Sequence, residues 1–347
     1  MTKVLVTGGT GFVAGHVIDT LLKRGHSVVT TVRSQEKSQA LLGAYADVSQ
    51  DNLKTLIVPD IATDGAFEGL GFLELEAVIH VASPFHYNVT DPKKDLIDPA
   101  VIGTTGVLKA IKDSCPGVKR VVVTSSFAAI LNPGLAAMGA EKTYSEEDWS
   151  PVTLEDAYSN GMMAYVTSKV FAERAAWNFV ETEKPNFTLS TICPPMIYGP
   201  VRLPVKSLSA INTSNQLLAE VILGKHKAGL PPTGLPLWVD VRDVALAHVR
   251  AMEVQGAGGK RFLTTAGFYS NKEMANALWN SFPSMREKLP EPSSFGGLPN
   301  SALKSFGYNT SRAREILGLE WTPYERTVVD SAMSLDGLKE LLLACRK

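Results

Sequence analysis

The chain has 347 residues, which at about 150 residues per domain indicates one large domain or two closely packed ones. Apolar residues make up 45% and charged residues 20% of the chain, so the composition is that of a folded globular protein and excludes a disordered or collagen-like one. The 34 Lys and Arg against 35 Asp and Glu give a net charge of −1, and the basic residues are scattered, which argues against nucleic acid as a partner.

The features that report on cellular location favour the cytoplasm. No stretch approaches the roughly 18 consecutive apolar residues that span a membrane. The apolar run that starts at Val4 is broken at once by Thr7-Gly8-Gly9, so it resembles a strand and not a signal peptide. The cysteines Cys115, Cys193 and Cys345 are far apart and form no CxxC pair, which argues against disulfides and zinc. We expect a cytoplasmic protein with no membrane partner and no metal.

Short β-branched runs alternate with helix-length amphipathic segments, the pattern of a parallel sheet wound by crossover helices. The predicted strands are Lys3 to Thr7, Ser27 to Val32, Leu53 to Pro59, Ala77 to Val81, Arg120 to Thr124 and Thr188 to Cys193. Gly25 and Gly318 follow predicted helices at positions where left-handed C-caps are expected. The fold class is therefore α/β, a Rossmann-type doubly wound parallel sheet.

The pattern changes after Cys193, where prolines become frequent and the parallel-sheet alternation stops. We expect residues 1–193 to form a dinucleotide-binding domain that also carries the catalytic residues, and 194–347 to form mainly a smaller substrate-binding lobe. Within that lobe, Trp238 to Val241 is predicted to return to the main sheet, so that 238–258 belong with the first domain.

A glycine-rich motif, Thr7-Gly8-Gly9-Thr10-Gly11-Phe12-Val13-Ala14, stands where the first strand meets the first helix. Gly8 would allow the tight turn, Gly11 would let the backbone approach a pyrophosphate, and Ala14 would let the helix pack closely on the sheet. The phosphates would lie on the helix N-terminus, where unpaired N–H groups favour anions. This context predicts a dinucleotide site.

The end of the second strand indicates which nicotinamide cofactor is bound. NAD-binding versions of this fold place an acidic residue there, whereas a 2′-phosphate requires a cation. Here the strand ends at Arg33, followed by Lys37 one helical turn later. Both can pair with a phosphate, so we predict NADP(H). Asp60, after the third strand, could accept a hydrogen bond from the adenine amino group, or it could be a turn residue.

Two elements carry groups suited to acid–base chemistry. Tyr165 and Lys169 are four residues apart, on one face of a predicted helix, and a nearby cation lowers the pKa of a phenol from about 10 towards the working pH. Ser125 and Ser126 end the fifth strand, at the edge where a Rossmann sheet binds ligands.

These motifs, taken together and in order, resemble the extended short-chain dehydrogenase/reductase family. Within it, the chain is most similar to the branch of yeast-type methylglyoxal/carbonyl reductases and plant dihydroflavonol reductases. The further segments that carry the resemblance are Ser34-Gln35-Glu36-Lys37, Val58-Pro59-Asp60-Ile61, His80-Val81-Ala82-Ser83-Pro84-Phe85, Thr124-Ser125-Ser126 and Val239-Asp240-Val241-Arg242-Asp243-Val244-Ala245.

The resemblance implies roles for the candidate catalytic residues. Ser126 would hydrogen-bond the substrate carbonyl, Tyr165 would donate the proton, and Lys169 would bind the nicotinamide ribose; Ser125 is the alternative to Ser126. The candidate cofactor-binding residues are Thr7, Gly8, Thr10, Gly11, Phe12, Val13, Arg33, Lys37, Asp60, Ile61, Ala82, Tyr165, Lys169, Pro194, Met196 and Ile197.

Two positions depart from the pattern of many short-chain reductases. Ala100 stands where they have an asparagine, so a proton relay through that side chain is not expected. The loop that typically grips the carboxamide has a second proline, Pro195, which has no N–H to donate. A backbone grip would therefore come from Met196 or Ile197.

Large apolar residues flank the motifs and indicate a hydrophobic carbonyl substrate. The candidates for substrate contact are Phe85, Phe127, Met162 and Tyr198, although each could instead belong to the core.

The sequence therefore predicts a stereoselective NADPH-dependent carbonyl reductase, monomeric or homodimeric. The alternatives are a hydroxysteroid or dihydroflavonol/cinnamoyl-type reductase, an NAD-dependent nucleotide-sugar epimerase, and a nicotinamide sensor without turnover.

Overall fold

The computed structural model describes residues 1–83, 89–202, 207, 210–294, 296–297 and 306–335. The strands are β1 (Lys3–Thr7), β2 (Ser27–Val32), β3 (Leu53–Ile57), β4 (Ala77–His80), β5 (Arg120–Thr124), β6 (Thr143–Tyr144), β7 (Thr188–Cys193), β8 (Met196–Tyr198), β9 (Leu237–Asp240), β10 (Lys260–Leu263), β11 (Gly267–Phe268) and β12 (Gly307–Tyr308). The helices are α1 (Phe12–Lys23), α2 (Gln35–Ala44), α3 (Asp98–Ser114), α4 (Pro133–Ala137), α5 (Gly161–Glu183), α6 (Thr213–Ile222), α7 (Val241–Glu253), α8 (Asn271–Ser281), α9 (Ser311–Leu317) and α10 (Tyr324–Ser334).

Seven parallel strands form the central sheet, in the order β10-β7-β5-β4-β1-β2-β3. The chain first adds strands on one side of β1 and then, from β4, on the other, so the order reverses between β1 and β4. A crevice for ligands opens at such a point, outside the carboxyl ends of the strands. The predicted Rossmann-type α/β fold is confirmed.

Both faces of the sheet are covered by helices, which explains why the strands are nearly continuous apolar runs. Val4 and Val6 of β1 lie in the cluster that also contains the buried side of α1 and α7. Leu5, on the opposite face, packs in the cluster built with α3 and α5. Gly25, with φ +81°, and Gly318, with φ +65°, follow α1 and α9 in the left-handed conformation that was predicted.

Two predicted strands are shorter in the structure, for local reasons. β3 ends at Ile57 and not at Pro59, which has no N–H for the ladder. β4 ends at His80 because the N–H of Val81 donates to the Thr7 side chain, at 3.0 Å.

The prediction that Trp238 to Val241 returns to the main sheet is wrong. β9 lies between β8 and β11 in a separate three-stranded sheet. The central sheet gains its last strand from β10, which pairs with β7. A run of only four buried residues has no period that could distinguish one sheet from the other. The following helix, α7, does pack against α1 of the first domain.

The smaller lobe has a core of its own. Leu218 of α6, Leu278 of α8 and Val328 of α10 are fully buried in one cluster. In the described part of the chain, no helix has both the length and the apolar character that crossing a bilayer requires.

Candidate active site

A cavity of about 1380 Å³ extends from the glycine-rich turn to the smaller lobe. The predicted cofactor-binding residues on its wall are Gly8, Thr10, Gly11, Phe12, Val13, Arg33, Lys37, Asp60, Ile61, Ala82, Tyr165, Met196 and Ile197. Three further predicted residues do not line the cavity, but each is hydrogen-bonded to a residue that does: Thr7 to Ala82, Lys169 to Ser83, and Pro194 to Phe127.

Two close backbone contacts shape the glycine-rich turn. Gly8 has φ +75°, and its N–H donates to Thr31 Oγ1 at 2.9 Å. Gly9 lies so close to β2 that an added Cβ would stand 2.2 Å from Thr30 Oγ1. Gly11 is the N-cap of α1 and provides no side chain to cap it, so the first N–H groups of the helix remain available to an anion. The sequence motif did not indicate the role of Gly9, since it depends on packing against another strand.

Thr7 fixes the loop that follows β4. Its buried hydroxyl accepts hydrogen bonds from the N–H groups of Val81 and Ala82, each at 3.0 Å. It also pairs with His80 Nδ1 at 3.0 Å. Burial, and secondarily the charge of Lys169, lower the pKa of His80 to about 4, so this imidazole is neutral near pH 7. Thr7 therefore orders the cavity wall and does not present its hydroxyl to a ligand.

The far end of the cavity is basic. Arg33 and Lys37 are exposed, and both line the cavity. Ser34 caps α2 by accepting from the backbone N–H of Lys37 at 3.3 Å, which fixes Lys37 in the first turn. Asp60 accepts from the N–H of Ala62 at 2.9 Å, so this carboxylate forms a turn while it also lines the cavity.

The helix α5 brings the phenol and the ammonium together. Asn160 caps it, with the side chain accepting from the Met163 N–H at 3.0 Å. One turn separates Tyr165, on the cavity wall, from Lys169, whose Nζ lies 5.6 Å from the centroid of the Tyr165 ring. Lys169 Nζ donates to Ser83 Oγ at 2.7 Å. Burial lowers the pKa of Lys169 to about 8.

The two serines after β5 have different surroundings. Ser126 lines the cavity, and its Oγ accepts from the N–H of Ala128 at 3.1 Å. Its hydroxyl hydrogen therefore stays available to another acceptor. The buried Ser125 hydroxyl donates to Glu173 Oε2 at 2.6 Å. This geometry favours Ser126 over Ser125 as the group that meets a ligand.

A buried ion pair lies behind these serines, and sequence analysis missed it. Glu173 accepts from Arg261 at 2.8 Å and 3.1 Å, and from Thr191 at 2.7 Å. The Arg261 guanidinium lies 3.7 Å from the ring centroid of Trp149. Arg261 and the other hydrogen bonds outweigh the desolvation of the carboxyl and lower the pKa of Glu173. The signal that could have shown it is the four-residue spacing of Tyr165, Lys169 and Glu173.

The loop after β7 borders the cavity. The carbonyl of Pro194 accepts from the N–H of Phe127 at 2.9 Å, so this residue fixes the loop against the segment after Ser126. Pro195, Met196 and Ile197 line the cavity. A backbone contact from Met196 or Ile197 to a carboxamide stays a prediction.

The predicted substrate residues differ in their surroundings. Phe127 borders the cavity, but its ring is fully buried and contacts the rings of Tyr144 and Phe306, which favours the alternative that it belongs to the core. Tyr198 lines the cavity and is 3% exposed, with its hydroxyl bonded to that of Tyr269 at 3.0 Å. Met162 lines the mouth and is 64% exposed. Phe85 lies outside the described residues.

The remaining wall on the side of the smaller lobe is mostly apolar. Beyond Met162 and Tyr198, the apolar residues on it are Leu131, Pro133, Ala136, Ala137, Met163, Val166, Leu217, Pro231, Pro232 and Leu235. The polar side chains on the same wall include Asn212, Thr213, Ser214 and Asn271. This end of the cavity is suited to a hydrophobic ligand that is oriented by a few polar groups.

Comparison with known proteins agrees with this geometry. The family model described as NAD dependent epimerase/dehydratase family matches residues 4–263. The chain is 42% identical over 336 residues to the ketoreductase azaE of Aspergillus niger, which covers 96% of this chain and 97% of that protein. It is 32% identical over 342 residues to the NADPH-dependent methylglyoxal reductase GRE2 of Saccharomyces cerevisiae, with 96% and 98% covered.

Solved structures show the same relationship. The crystal structure of Gre2 from Candida albicans in complex with NADPH superposes with a TM-score of 0.86 and 35% identity, over 97% of this chain and 99% of that chain. The match of the family model over most of the chain, together with these full-length relatives, shows that the chain belongs to the NAD dependent epimerase/dehydratase family, the extended short-chain dehydrogenase/reductases.

Proposed function

We propose that this protein reduces aldehydes and ketones to alcohols with NADPH, with Ser126, Tyr165 and Lys169 as its catalytic residues. The observation that carries the proposal is that one cavity brings together Ser126 and Tyr165, with Lys169 directly behind, and a basic pair at the opposite end. The relatives named as ketoreductase and as NADPH-dependent methylglyoxal reductase support this activity.

The residues present fit NADPH. The uncapped first turn of α1 offers N–H groups to the pyrophosphate, and the backbone there is held open by Gly8 and Gly9. Arg33 and Lys37 supply two positive charges for a 2′-phosphate, with Arg33 able to form a bidentate pair. Asp60, on the cavity wall, is the candidate for the adenine amino group. Lys169 would bind the nicotinamide ribose.

The side chains of the protein position the carbonyl and supply the proton. When bound, NADPH supplies the hydride that adds to the carbonyl carbon. Ser126 donates its free hydroxyl hydrogen to the carbonyl oxygen and stabilises the negative charge that develops there. Tyr165 gives its phenolic proton to that oxygen, and the Lys169 ammonium stabilises the phenolate that remains.

The substrate is a hydrophobic carbonyl compound. The apolar wall on the side of the smaller lobe can bury alkyl or aryl groups on the carbonyl carbon, and Met162 lies at its mouth. This supports the predicted class of substrate, including hydroxysteroid and cinnamoyl-type carbonyls as narrower alternatives. A cytoplasmic location, a monomeric or homodimeric state and the absence of a metal stay predictions.

The other functions fit the site less well. A nucleotide-sugar epimerase that uses NAD would require a carboxylate at the end of β2, where this chain has Arg33. A nicotinamide sensor without turnover would not require Ser126, Tyr165 and Lys169 at one place.

The activity is tested by following the oxidation of NADPH and of NADH with a panel of aryl ketones, aliphatic ketones and short aldehydes. We expect oxidation of NADPH with the hydrophobic ketones, and an efficiency about 10- to 150-fold lower with NADH, since NADH lacks the phosphate that Arg33 pairs with. Turnover of a nucleotide sugar, with every carbonyl in the panel left unreduced, would contradict the proposal.

The assignment of Ser126 is tested against its neighbour. Ser126→Ala should lower turnover about 10- to 100-fold, because it removes one hydrogen bond to the developing alkoxide and leaves Tyr165 in place. Ser125→Ala should keep turnover within a few-fold of the wild type and lower the free energy of unfolding by about 1–3 kcal/mol, because it deprives the buried Glu173 of a donor. Steady-state kinetics and urea denaturation measure the two effects, and a larger loss of turnover in Ser125→Ala would reverse the assignment.

A further inference from the structure

Lys169 has a hydrogen-bond partner that lies outside the catalytic motif on α5. Its Nζ donates to Ser83 Oγ at 2.7 Å, a contact between residues 86 apart in the sequence. Ser83 is the third residue after β4, on the same loop that Thr7 fixes through Ala82. The contact therefore joins the catalytic helix α5 to a loop whose own position is set by hydrogen bonds.

The chemistry of Lys169 and Ser83 decides which of the two donates the hydrogen bond. An ammonium can only donate, so Ser83 Oγ accepts, and the hydroxyl hydrogen of Ser83 must point to another group. Ser83 is part of the cavity wall, so that hydrogen can be directed to a group within the cavity. A continuous line of exchangeable hydrogens then leads from the cavity through Ser83 to Lys169.

Reduction of a carbonyl consumes one proton in each turnover, and the phenol must recover it. Ser83 is the side chain on the described residues that is hydrogen-bonded to the Lys169 ammonium. The route by which the proton returns should therefore include its hydroxyl.

We propose that Ser83 is a positioning residue for carbonyl reduction, which holds the Lys169 ammonium beside Tyr165 and passes it a proton from solvent after each turnover. The inference rests on the proposed function, since it takes Tyr165 as the proton donor. After Tyr165 has given its proton to the alkoxide, the phenolate takes one from the Lys169 ammonium. The amine takes a proton from the Ser83 hydroxyl, which takes one from water, so the net change is one proton from solvent.

The charged groups around Lys169 do not stabilise its ammonium, so the ammonium depends on the hydrogen bond to Ser83. Among the described residues, the titratable groups that face it are Tyr165 on α5 and His80 on β4, and His80 is neutral near pH 7. The charged side chains on α5 and on the elements packed against it include three ion pairs, which are Lys93 with Asp98, Lys112 with Glu183, and Glu173 with Arg261. Within the described chain, no carboxylate is hydrogen-bonded to the Lys169 ammonium. The pKa of Lys169, lowered to about 8 by burial, agrees with an ammonium that has lost water and gained one neutral acceptor.

The test compares Ser83→Ala with an isosteric pair, Ser83→Thr and Ser83→Val, which differ only in the hydroxyl. Loss of the acceptor destabilises the ammonium and so lowers the pKa of Lys169. The decrease of kcat/KM for NADPH at high pH reports ionisations of the free enzyme. This decrease should therefore occur at lower pH in Ser83→Ala and Ser83→Val. At a given pH the ratio of amine to ammonium at Lys169 should rise about tenfold. Ser83→Thr should keep the wild-type profile.

The same quantity is measured without turnover, by NMR titration of the Lys169 side chain in the cofactor-free protein. A control variant, Ser190→Ala, removes a buried hydroxyl on β7 that donates to the Ala257 carbonyl at 2.8 Å, and it should leave the titration unchanged. Identical Lys169 titrations and pH profiles in Ser83→Thr and Ser83→Val would overturn the inference. If the wild type reduced no carbonyl compound, the proposed function would fail instead, so the two failures are distinguishable.

Discussion

Tyr165→Phe should lower turnover of a ketone at saturating NADPH by about 10²–10⁴-fold, while the fold and the affinity for NADPH are retained. The substitution removes only the hydroxyl, and the Tyr165 ring keeps its place beside the Lys169 ammonium. The chemical step then has hydride and a bound carbonyl but no positioned acid. Steady-state kinetics of the purified variant, with NADPH binding followed by fluorescence, measure both quantities.

Lys169→Ala distinguishes the role of Lys169 from that of Tyr165, the proton donor on the same helix. It removes the contact to the ribose and the charge that stabilises a phenolate, so it should weaken NADPH binding as well as turnover. The residual activity should also have a different pH profile, because the group that titrates near pH 8 is gone. Turnover in Tyr165→Phe within a few-fold of the wild type would exclude Tyr165 as the acid.

Arg33→Ala should weaken the binding of NADPH by roughly 10- to 150-fold and leave that of NADH nearly unchanged. Arg33 is exposed on the cavity wall, as is Lys37, so its charge can pair with a 2′-phosphate. The variant loses a charge-assisted hydrogen bond that only the phosphorylated cofactor can form. Titration of both cofactors under the same ionic conditions measures the change in preference.

A second arginine provides a matched control for this result. Arg24 is bound to Glu253 on the protein surface, at 2.7 Å, and does not line the cavity. Arg24→Ala removes the same charge from the chain and should leave the ratio of the NADPH and NADH affinities as it is in the wild type. Equal losses of affinity for NADPH and NADH in Arg33→Ala would mean that Arg33 does not bind the 2′-phosphate.

Much of the Rossmann sheet could be predicted because its signals are local. The strands β1, β2, β5 and β7 have the predicted bounds, since each is a β-branched run that is buried on both faces and limited by turn residues. Gly8 was predictable for the same reason: a tight turn between a strand and a helix requires a residue that tolerates a positive φ.

The features that escaped prediction depend on contacts between distant residues. The pairing of Trp238 in the smaller sheet, and of β10 in the central one, is decided by which strands lie side by side, and neither four-residue run shows by itself which sheet it joins. The ring of Phe127 is buried by Phe306, 179 positions later in the chain, so no pattern around Phe127 itself could place it in the core. Likewise, the contact of Ser83 with Lys169 follows from the course of the loop after β4.

The pairing of Glu173 with Arg261 has a consequence for the order in which the chain matures on the ribosome. α5 and β7 emerge well before residue 261, and until then the carboxylate of Glu173 has no cation to neutralise it. Sealing an unpaired carboxylate in the interior costs several kcal/mol, which disfavours final docking of this helix in a nascent chain. We therefore expect the edge strand β10, the helix with Tyr165 and Lys169, and the serines after β5 to reach their final packing together. The docking of α5 in the first domain therefore depends on a residue that lies beyond the predicted boundary at residue 193.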